Sequence, residues 1–154
     1  MSEQTTGPSA AALEEKKLGN EAYKKKNFDV AVAHYERAIT MEPAEITFRS
    51  NLAAVRFEQK RYEECAEICE KAIEVGRENR ADFKLIAKAY ARMANAFKKL
   101  GELEKAKTAL EKALTEHRTP EYRASLAEVR KTSPESIRLS LIFLFPTFNS
   151  RLRR

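Results

Sequence analysis

Apolar and small residues recur along the chain at the spacing of a helix, and the pattern returns after 34 residues. The first copy contains Leu18-Gly19. A shift of 34 residues places Ala53 at the position of Gly19 and Tyr62 at that of Phe28. A third copy follows after 41 residues, because about seven residues are inserted between the second and third units. This period indicates stacked helical hairpins, since one hairpin alone leaves its apolar face uncovered.

The period and its residue types predict an all-α fold of three tetratricopeptide (TPR) hairpins followed by a C-terminal capping helix. Such hairpins stack into a right-handed superhelix with a concave groove. Thr119 and Pro120 signal the start of the capping helix, as its N-cap and first-turn residues. Small residues are expected where helices cross, at Ala31, Ala38, Ala72, Ala106 and Ala113. The predicted helices span 10–26, 28–41, 45–59, 61–76, 80–99, 103–116 and about 120–131.

The chain divides into a flexible N-terminus, 1–11, a TPR domain, 12–131, and an apolar and basic tail, 132–154. The tail run Leu141–Phe145 is far shorter than the roughly 20 residues of a transmembrane helix, so no stable membrane insertion is expected. The tail is interpreted as an end without a role, as a segment that folds back over apolar surface, or as a contact for a membrane interface or partner. The last interpretation uses Phe143, Phe145, Phe148 and the closing Arg residues. The three repeats are expected at about 12–45, 46–79 and 87–120.

Composition and charge narrow the classes of function. The chain of 154 residues is 43% hydrophobic and 34% charged, with 4 Gly and no Trp, which favours one helical domain. The net charge is +6, but the tail carries four Arg and one Glu, so half of the excess lies there. Lys and Glu alternate along most helices, which is typical of solvated faces and not of a nucleic-acid interface. The N-terminus has no apolar signal core, so a cytoplasmic protein is expected.

The sequence contains no pattern typical of an enzyme. Two Cys and two His are too few for a disulfide framework or a multi-ligand zinc site. Cys65 and Cys69 lie four residues apart, where a metal or redox pair is one interpretation, but their positions in the repeat favour two small core residues. Since no Gly-rich phosphate loop, HExxH motif or plausible triad is present, no catalytic residue, metal or cofactor is expected. A binding module is the favoured class.

The first helix of each hairpin is expected to line the groove, and these helices carry hydrogen-bond donors at helical spacing. Lys16 and Asn20 share one face of the first such helix. Asn51 lies on the second, and Lys88 and Arg92 share a face of the third. No Asp or Glu among these positions neutralises them, so the set suits an anionic group, and the Arg guanidinium suits a carboxylate. A solvated surface is the alternative, because Lys and Arg are common in this chain.

Four segments resemble the middle TPR domain of the Hop/Sti-type co-chaperones, the family of heat-shock protein organising and stress-induced phosphoproteins. They are KKLGNEAYKKKNFDVAVAHYERAI, NLAAVRF, CEKAIEVGRENRADFKLIAKAYARMANAF and EHRTPE, all within about 12–131. The resemblance implies a two-carboxylate clamp for the C-terminal Met-Glu-Glu-Val-Asp tail of heat shock protein 90. A TPR adaptor for other acidic C-termini, such as that of heat shock protein 70, is the alternative.

The resemblance also assigns roles to individual residues. It places the clamp on the five donors reached above: Lys16, Asn20, Asn51, Lys88 and Arg92. It places secondary peptide contacts on Tyr23, Thr47, Glu58 and Asn95. The segment 74–80 corresponds to the family's insertion between the second and third units. The tail departs from the family, which continues as a polar helix where this chain is apolar.

Overall fold

Eight α-helices make up the described part of the chain, residues 7–145 of the computed structural model. Each helix packs on the next one in sequence, and α3 also contacts α5. The predicted all-α TPR fold is therefore confirmed, and the predicted ends of the first seven helices agree with the structure within three residues. The helices are α1 (Ala10–Lys24), α2 (Phe28–Met41), α3 (Ile46–Glu58), α4 (Tyr62–Glu78), α5 (Phe83–Leu100), α6 (Leu103–Glu116), α7 (Pro120–Thr132) and α8 (Pro134–Leu144).

The core is continuous along the stack, because each cluster of buried residues draws on three or more neighbouring helices. One cluster joins Tyr35 of α2 to Leu52 of α3, and another joins Ile46 of α3 to Tyr90 of α5. Small side chains occupy the tightest crossings, where a larger residue would hold the helices apart. The alanines predicted at these crossings are fully buried: Ala31, Ala38, Ala72, Ala106 and Ala113.

The turn inside each hairpin contains a residue with positive φ. Lys26, Lys60 and Gly101 have φ values of 58°, 61° and 77°, and the amide that follows each of them bonds to the carbonyl five residues earlier. This is the Schellman ending of a helix, which satisfies carbonyl groups that the helix itself leaves free. The second helix of each hairpin then begins without a side-chain cap. The backbone of the turn therefore sets the hairpin geometry.

Equivalent turns with different residues allow a matched test. Gly101→Ala adds only a Cβ with no atom within 4 Å of it, so its cost comes from the positive φ alone. We expect the free energy of unfolding to fall by about 1 kcal/mol. Lys60→Gly at the equivalent turn is expected to raise it by less than 1 kcal/mol. Urea unfolding followed by circular dichroism measures both free energies of unfolding. A change in the same direction for the two variants would contradict the proposed role of the turn.

The first helices and α7 begin differently, with side chains that accept a backbone hydrogen bond. Ser9, Glu45, Asp82 and Thr119 cap α1, α3, α5 and α7, so the predicted N-cap at Thr119 is confirmed. Helix α7 covers the end of the stack as predicted. Its Leu126 and Val129 are buried against α5 and α6, and Tyr122 packs on the core. Its charged residues face solvent: Glu121, Arg123, Glu128 and Arg130.

Helix α8 lies in the tail, where sequence analysis predicted no helix. Ser133 caps it by accepting a hydrogen bond from the amide of Ser136, and Pro134 occupies its first turn, the same signal that starts α7. It packs on α7 but buries none of its residues. Phe148 and the closing Arg residues lie outside the described residues. No helix within 7–145 has the length and hydropathy needed to cross a membrane. The exposed apolar residues of α8 and its C-cap are Ile137, Leu139, Leu141, Phe143, Leu144 and the C-cap Phe145.

Because α8 buries nothing, removing the tail is expected to cost little stability. We expect a chain ending at Lys131 to melt within about 2 °C of the full chain, which corresponds to well under 1 kcal/mol. We also expect it to be more soluble, since an exposed apolar run promotes aggregation. Differential scanning calorimetry and a light-scattering solubility series measure the two effects. A fall of more than about 5 °C would mean that α8 contributes to the fold.

Candidate functional site

Polar side chains form three parallel stripes on the first helices of the hairpins. Spacings of three and four residues place the members of each stripe on one face of their helix. Since α3 packs against α5 and side chains of α1 reach those of α3, the stripes lie side by side. The stripes are Lys16, Asn20 and Tyr23 on α1, Thr47, Asn51 and Glu58 on α3, with Ala54 between the last two, and Lys88, Arg92 and Asn95 on α5.

Asn20 is the centre of a hydrogen-bonded group that links the first two hairpins. Its Oδ1 accepts a hydrogen bond from the Tyr35 hydroxyl at 2.7 Å and a longer one from Asn51 Nδ2 at 3.4 Å. These bonds bring the two asparagines together as the sequence predicted. Tyr35 was not predicted, because its position in the repeat is an aromatic packing slot that does not signal a polar role.

Ser50, the neighbour of Asn51 in sequence, holds the Arg92 side chain in place by accepting its hydrogen bonds. Nη1 of Arg92 donates to Ser50 Oγ at 2.8 Å and also to the Ser50 carbonyl. Ser50 is the one buried polar residue among those described, and sequence analysis did not identify it. The other N–H groups of the guanidinium have no partner among the described residues and reach solvent. They are therefore available to a ligand.

The two lysines lie one helical turn from this group. Lys16 precedes Asn20 and Lys88 precedes Arg92 by four residues, with Lys16 half-buried and Lys88 exposed. Neither lysine hydrogen-bonds to Asn20 or Asn51, so the lysines are not part of the hydrogen-bonded group. Neither they nor Arg92 form an ion pair with any described residue. Three cations on α1 and α5 thus have no ion-pair partner among the described residues, and the carboxylate of Glu58 shares the neighbouring cavity with Arg92.

A cavity of about 180 Å³ adjoins Arg92. Three of the four residues expected to make secondary contacts line it. The fourth, Thr47, lies one turn before Asn51 and donates its hydroxyl to the Glu45 side chain at 2.6 Å, so it belongs to the start of α3. Burial raises the pKa of the Tyr23 hydroxyl, and the nearby Glu58 carboxylate raises it further. The cavity is lined by Tyr23, Ala54, Phe57, Glu58, Arg92 and Asn95.

Cys65 and Cys69 are buried in the core behind α5, as the packing interpretation predicted. Both thiols are free. Their mutual hydrogen bond lowers the pKa of Cys65 and raises that of Cys69, and burial raises both. Among residues 7–145, no group of three or more metal-binding side chains comes together.

This burial makes both thiols inaccessible in the folded protein. We expect Ellman's reagent to label neither cysteine at pH 8 in the native state and to label both in guanidinium chloride. The physical reason is that both cysteines are buried, with an exposed fraction of 0% for each. Rapid labelling of one or two equivalents without denaturant would show that α4 opens readily or that the pair is a reactive site.

Stacked hairpins with a polar groove along their first helices define a TPR domain, and comparison with known proteins gives the same class. Tetratricopeptide repeat family profiles match residues 17–45 and 45–115. The chain is 49% identical over 132 residues to stress-induced-phosphoprotein 1 of Caenorhabditis elegans, covering 86% of this chain and 41% of that protein. The chain therefore spans less than half the length of this relative.

Solved structures agree with this likeness. The N-terminal domain of the C. elegans stress-induced protein STI-1 superposes with a TM-score of 0.75 at 51% identity, over 79% of this chain and 95% of that domain. The TPR2AB domain of yeast Sti1, in its complex with pHSP90, superposes with a TM-score of 0.75 at 42% identity, over 78% of this chain and 46% of that one. The chain belongs to the Hop/Sti family of TPR proteins.

Proposed function

We propose that this domain binds the free C-terminal end of an acidic peptide, and that the peptide is the Met-Glu-Glu-Val-Asp tail of heat shock protein 90. The observation that supports the proposal is the accessible donor set on α1, α3 and α5. It joins two amides to three cations that have no carboxylate partner among the described residues. Leaving like charges together costs free energy, which an anionic ligand would recover.

A terminal aspartate suits this donor set because it carries two carboxylates on adjacent carbons. Asn20 and Asn51 lie at the middle of the set, and Lys16 extends it along α1. Lys88 and Arg92 flank it on α5, where the guanidinium N–H groups that Ser50 does not use suit a carboxylate. In the proposed clamp, one carboxylate is held mainly from α1 and α3 and the other mainly from α5.

The cavity beside Arg92 is the proposed site for residues upstream of the terminal aspartate. Tyr23, Ala54 and Phe57 give it an apolar wall, and Asn95 offers an amide. An apolar side chain such as the valine before the terminal aspartate suits the apolar wall. Thr47, the remaining secondary contact, lies on the same stripe and is proposed to contact the peptide beyond the clamp.

We rank heat shock protein 90 above heat shock protein 70 because of a peptide complex among the solved relatives. The yeast Sti1 structure at 42% identity is a complex with pHSP90. The tail of heat shock protein 70 remains the second candidate, since it also ends in an aspartate and would engage the same clamp. As a binding module, the domain would serve as a co-chaperone adaptor without catalytic residues of its own.

Removing either α5 cation tests the clamp. We expect Lys88→Ala and Arg92→Ala each to weaken binding of the free-acid peptide roughly ten- to a hundredfold, because a charge-assisted hydrogen bond contributes about 1.5–3 kcal/mol. Isothermal titration calorimetry measures the affinity. Lys71→Ala is the matched control, since Lys71 is exposed on α4, a second helix, and pairs with Glu74. Wild-type affinity in both α5 variants, with unchanged helical circular dichroism, would refute the clamp.

The terminal carboxylate is tested from the peptide side. We expect amidation of the C-terminus to weaken binding at least tenfold, because it removes one charge and presents a poor partner to donors that reach solvent. We also expect affinity to fall as salt rises from 50 to 500 mM, since exposed charges are screened. Titrations of the acid and amide forms of both chaperone tails measure this. Equal affinity for the two forms would contradict the proposal.

A further inference from the structure

We infer that Tyr35 is a positioning residue for the proposed clamp: its buried hydroxyl fixes the orientation of the Asn20 amide. Tyr35 lies on α2, a second helix, and is 2% exposed, so it cannot contact a peptide in the groove. It acts through Asn20, whose Oδ1 accepts its hydroxyl hydrogen bond at 2.7 Å. This inference rests on the proposed function.

The hydrogen bonds at Asn20 define one orientation of its amide. Two donors, the Tyr35 hydroxyl and Asn51 Nδ2, converge on Oδ1. A flipped amide would place the Asn20 NH₂ against the NH₂ of Asn51, donor against donor. With Oδ1 engaged, Nδ2 of Asn20 is left free to donate, and it has no partner among the described residues. An anionic ligand needs this orientation, because only the NH₂ end of the amide donates.

Tyr35 anchors the Asn20 amide more firmly than Asn51 does, while Asn51 selects which end of the amide meets the hydroxyl, because a hydroxyl can donate or accept and an NH₂ only donates. The Tyr35 bond to Oδ1 is short, whereas the Asn51 bond of 3.4 Å is close to the outer limit for a hydrogen bond. Asn51 is also half-buried on the groove side, where a ligand competes for its amide. Without the Tyr35 hydroxyl, Asn20 would retain one weak partner and its amide would sample other orientations.

Gly19 allows the tyrosine to come this close. A Cβ at residue 19 would lie 2.7 Å from Cε1 of Tyr35 and 3.0 Å from its Cζ, so the ring packs directly on the backbone of α1. This contact brings the hydroxyl beside Asn20, the next residue along the helix. Gly19 therefore allows both the close packing of the hairpin and the hydrogen bond that orients Asn20.

The hydroxyl also remains a donor over the accessible pH range. Burial, together with a smaller contribution from the nearby Tyr23, raises the pKa of Tyr35 to about 12. The hydrogen bond to Asn20 is therefore present from acid to mildly alkaline pH, and binding should not report a tyrosine titration below about pH 11.

Tyr35→Phe tests the inference because it removes the hydroxyl and keeps the ring. We expect it to weaken binding of the free-acid Met-Glu-Glu-Val-Asp peptide about three- to tenfold, the range of one neutral hydrogen bond. Tyr90→Phe is the matched control, since Tyr90 is also buried but its hydroxyl bonds to no described residue. We expect Tyr90→Phe to bind within about twofold of wild type. Wild-type affinity in Tyr35→Phe overturns the inference.

A double-mutant cycle separates positioning from a general loss of structure. If Tyr35 acts through Asn20, Tyr35→Phe should weaken binding no further in an Asn20→Ala background, where there is no amide to orient. The same fold-loss in both backgrounds would overturn the inference, because it would mean that Tyr35 acts on the fold and not on Asn20. Thermal melts of all four proteins confirm that each is folded at the titration temperature.

Measuring the affinity of Lys88→Ala alongside these variants distinguishes failure of the positioning role from failure of the proposed function. If Lys88→Ala weakens binding and Tyr35→Phe does not, the clamp stands and the positioning role is wrong. If neither variant changes affinity, the proposed function fails and the inference fails with it. If both weaken binding and the cycle is non-additive, Tyr35 and Asn20 form one functional unit beneath the groove.

Discussion

Each hairpin of this protein has an apolar face that its own two helices leave uncovered, and stacking on the next hairpin is how that face becomes buried. The clusters around Tyr35 and Ile46 each draw residues from more than one hairpin, and the cluster around Leu110 joins the third hairpin to α7. Stacking sets the first helices side by side, so a residue on α1 meets residues on α3 and α5. The groove is therefore a consequence of how the core is covered, with α7 covering the last open face.

The clamp positions of the groove bring together two amides and three cations that form no ion pair with a described residue, and Glu58 lies further along the α3 stripe. Several cations elsewhere form ion pairs, as Arg77 does with Glu116 and Lys98 with Glu128. In the groove, Arg92 instead rests on neutral oxygens of Ser50, which orient it without neutralising it. Tyr35 does the same for Asn20. The hydroxyls of Ser50 and Tyr35 thus orient Arg92 and Asn20 without neutralising a charge. The charge of Arg92 and the NH₂ group of Asn20 therefore remain for a ligand.

The sequence predicted most of the fold because the repeat has a strong period and small residues at fixed places. Ala31 and Ala113 could be assigned to helix crossings, and the seven helices followed. Helix α8 was missed, because its apolar residues lie all around the helix and give no amphipathic period, although Ser133 and Pro134 repeat the start signal of α7. Tyr35 and Ser50 were missed because a packing residue and a small polar residue give no sign, in one sequence, of what their hydroxyls contact.

The central claim is that a free C-terminus binds among the donors of α1, α3 and α5. The most direct measurement is an NMR titration of ¹⁵N-labelled protein with the free-acid Met-Glu-Glu-Val-Asp peptide. We expect the largest shifts at the side-chain amides of Asn20 and Asn51 and at Nε of Arg92, with little change on the outer faces of α4 and α6. Shifts concentrated on α7 and α8, or none at saturating peptide, would contradict the account.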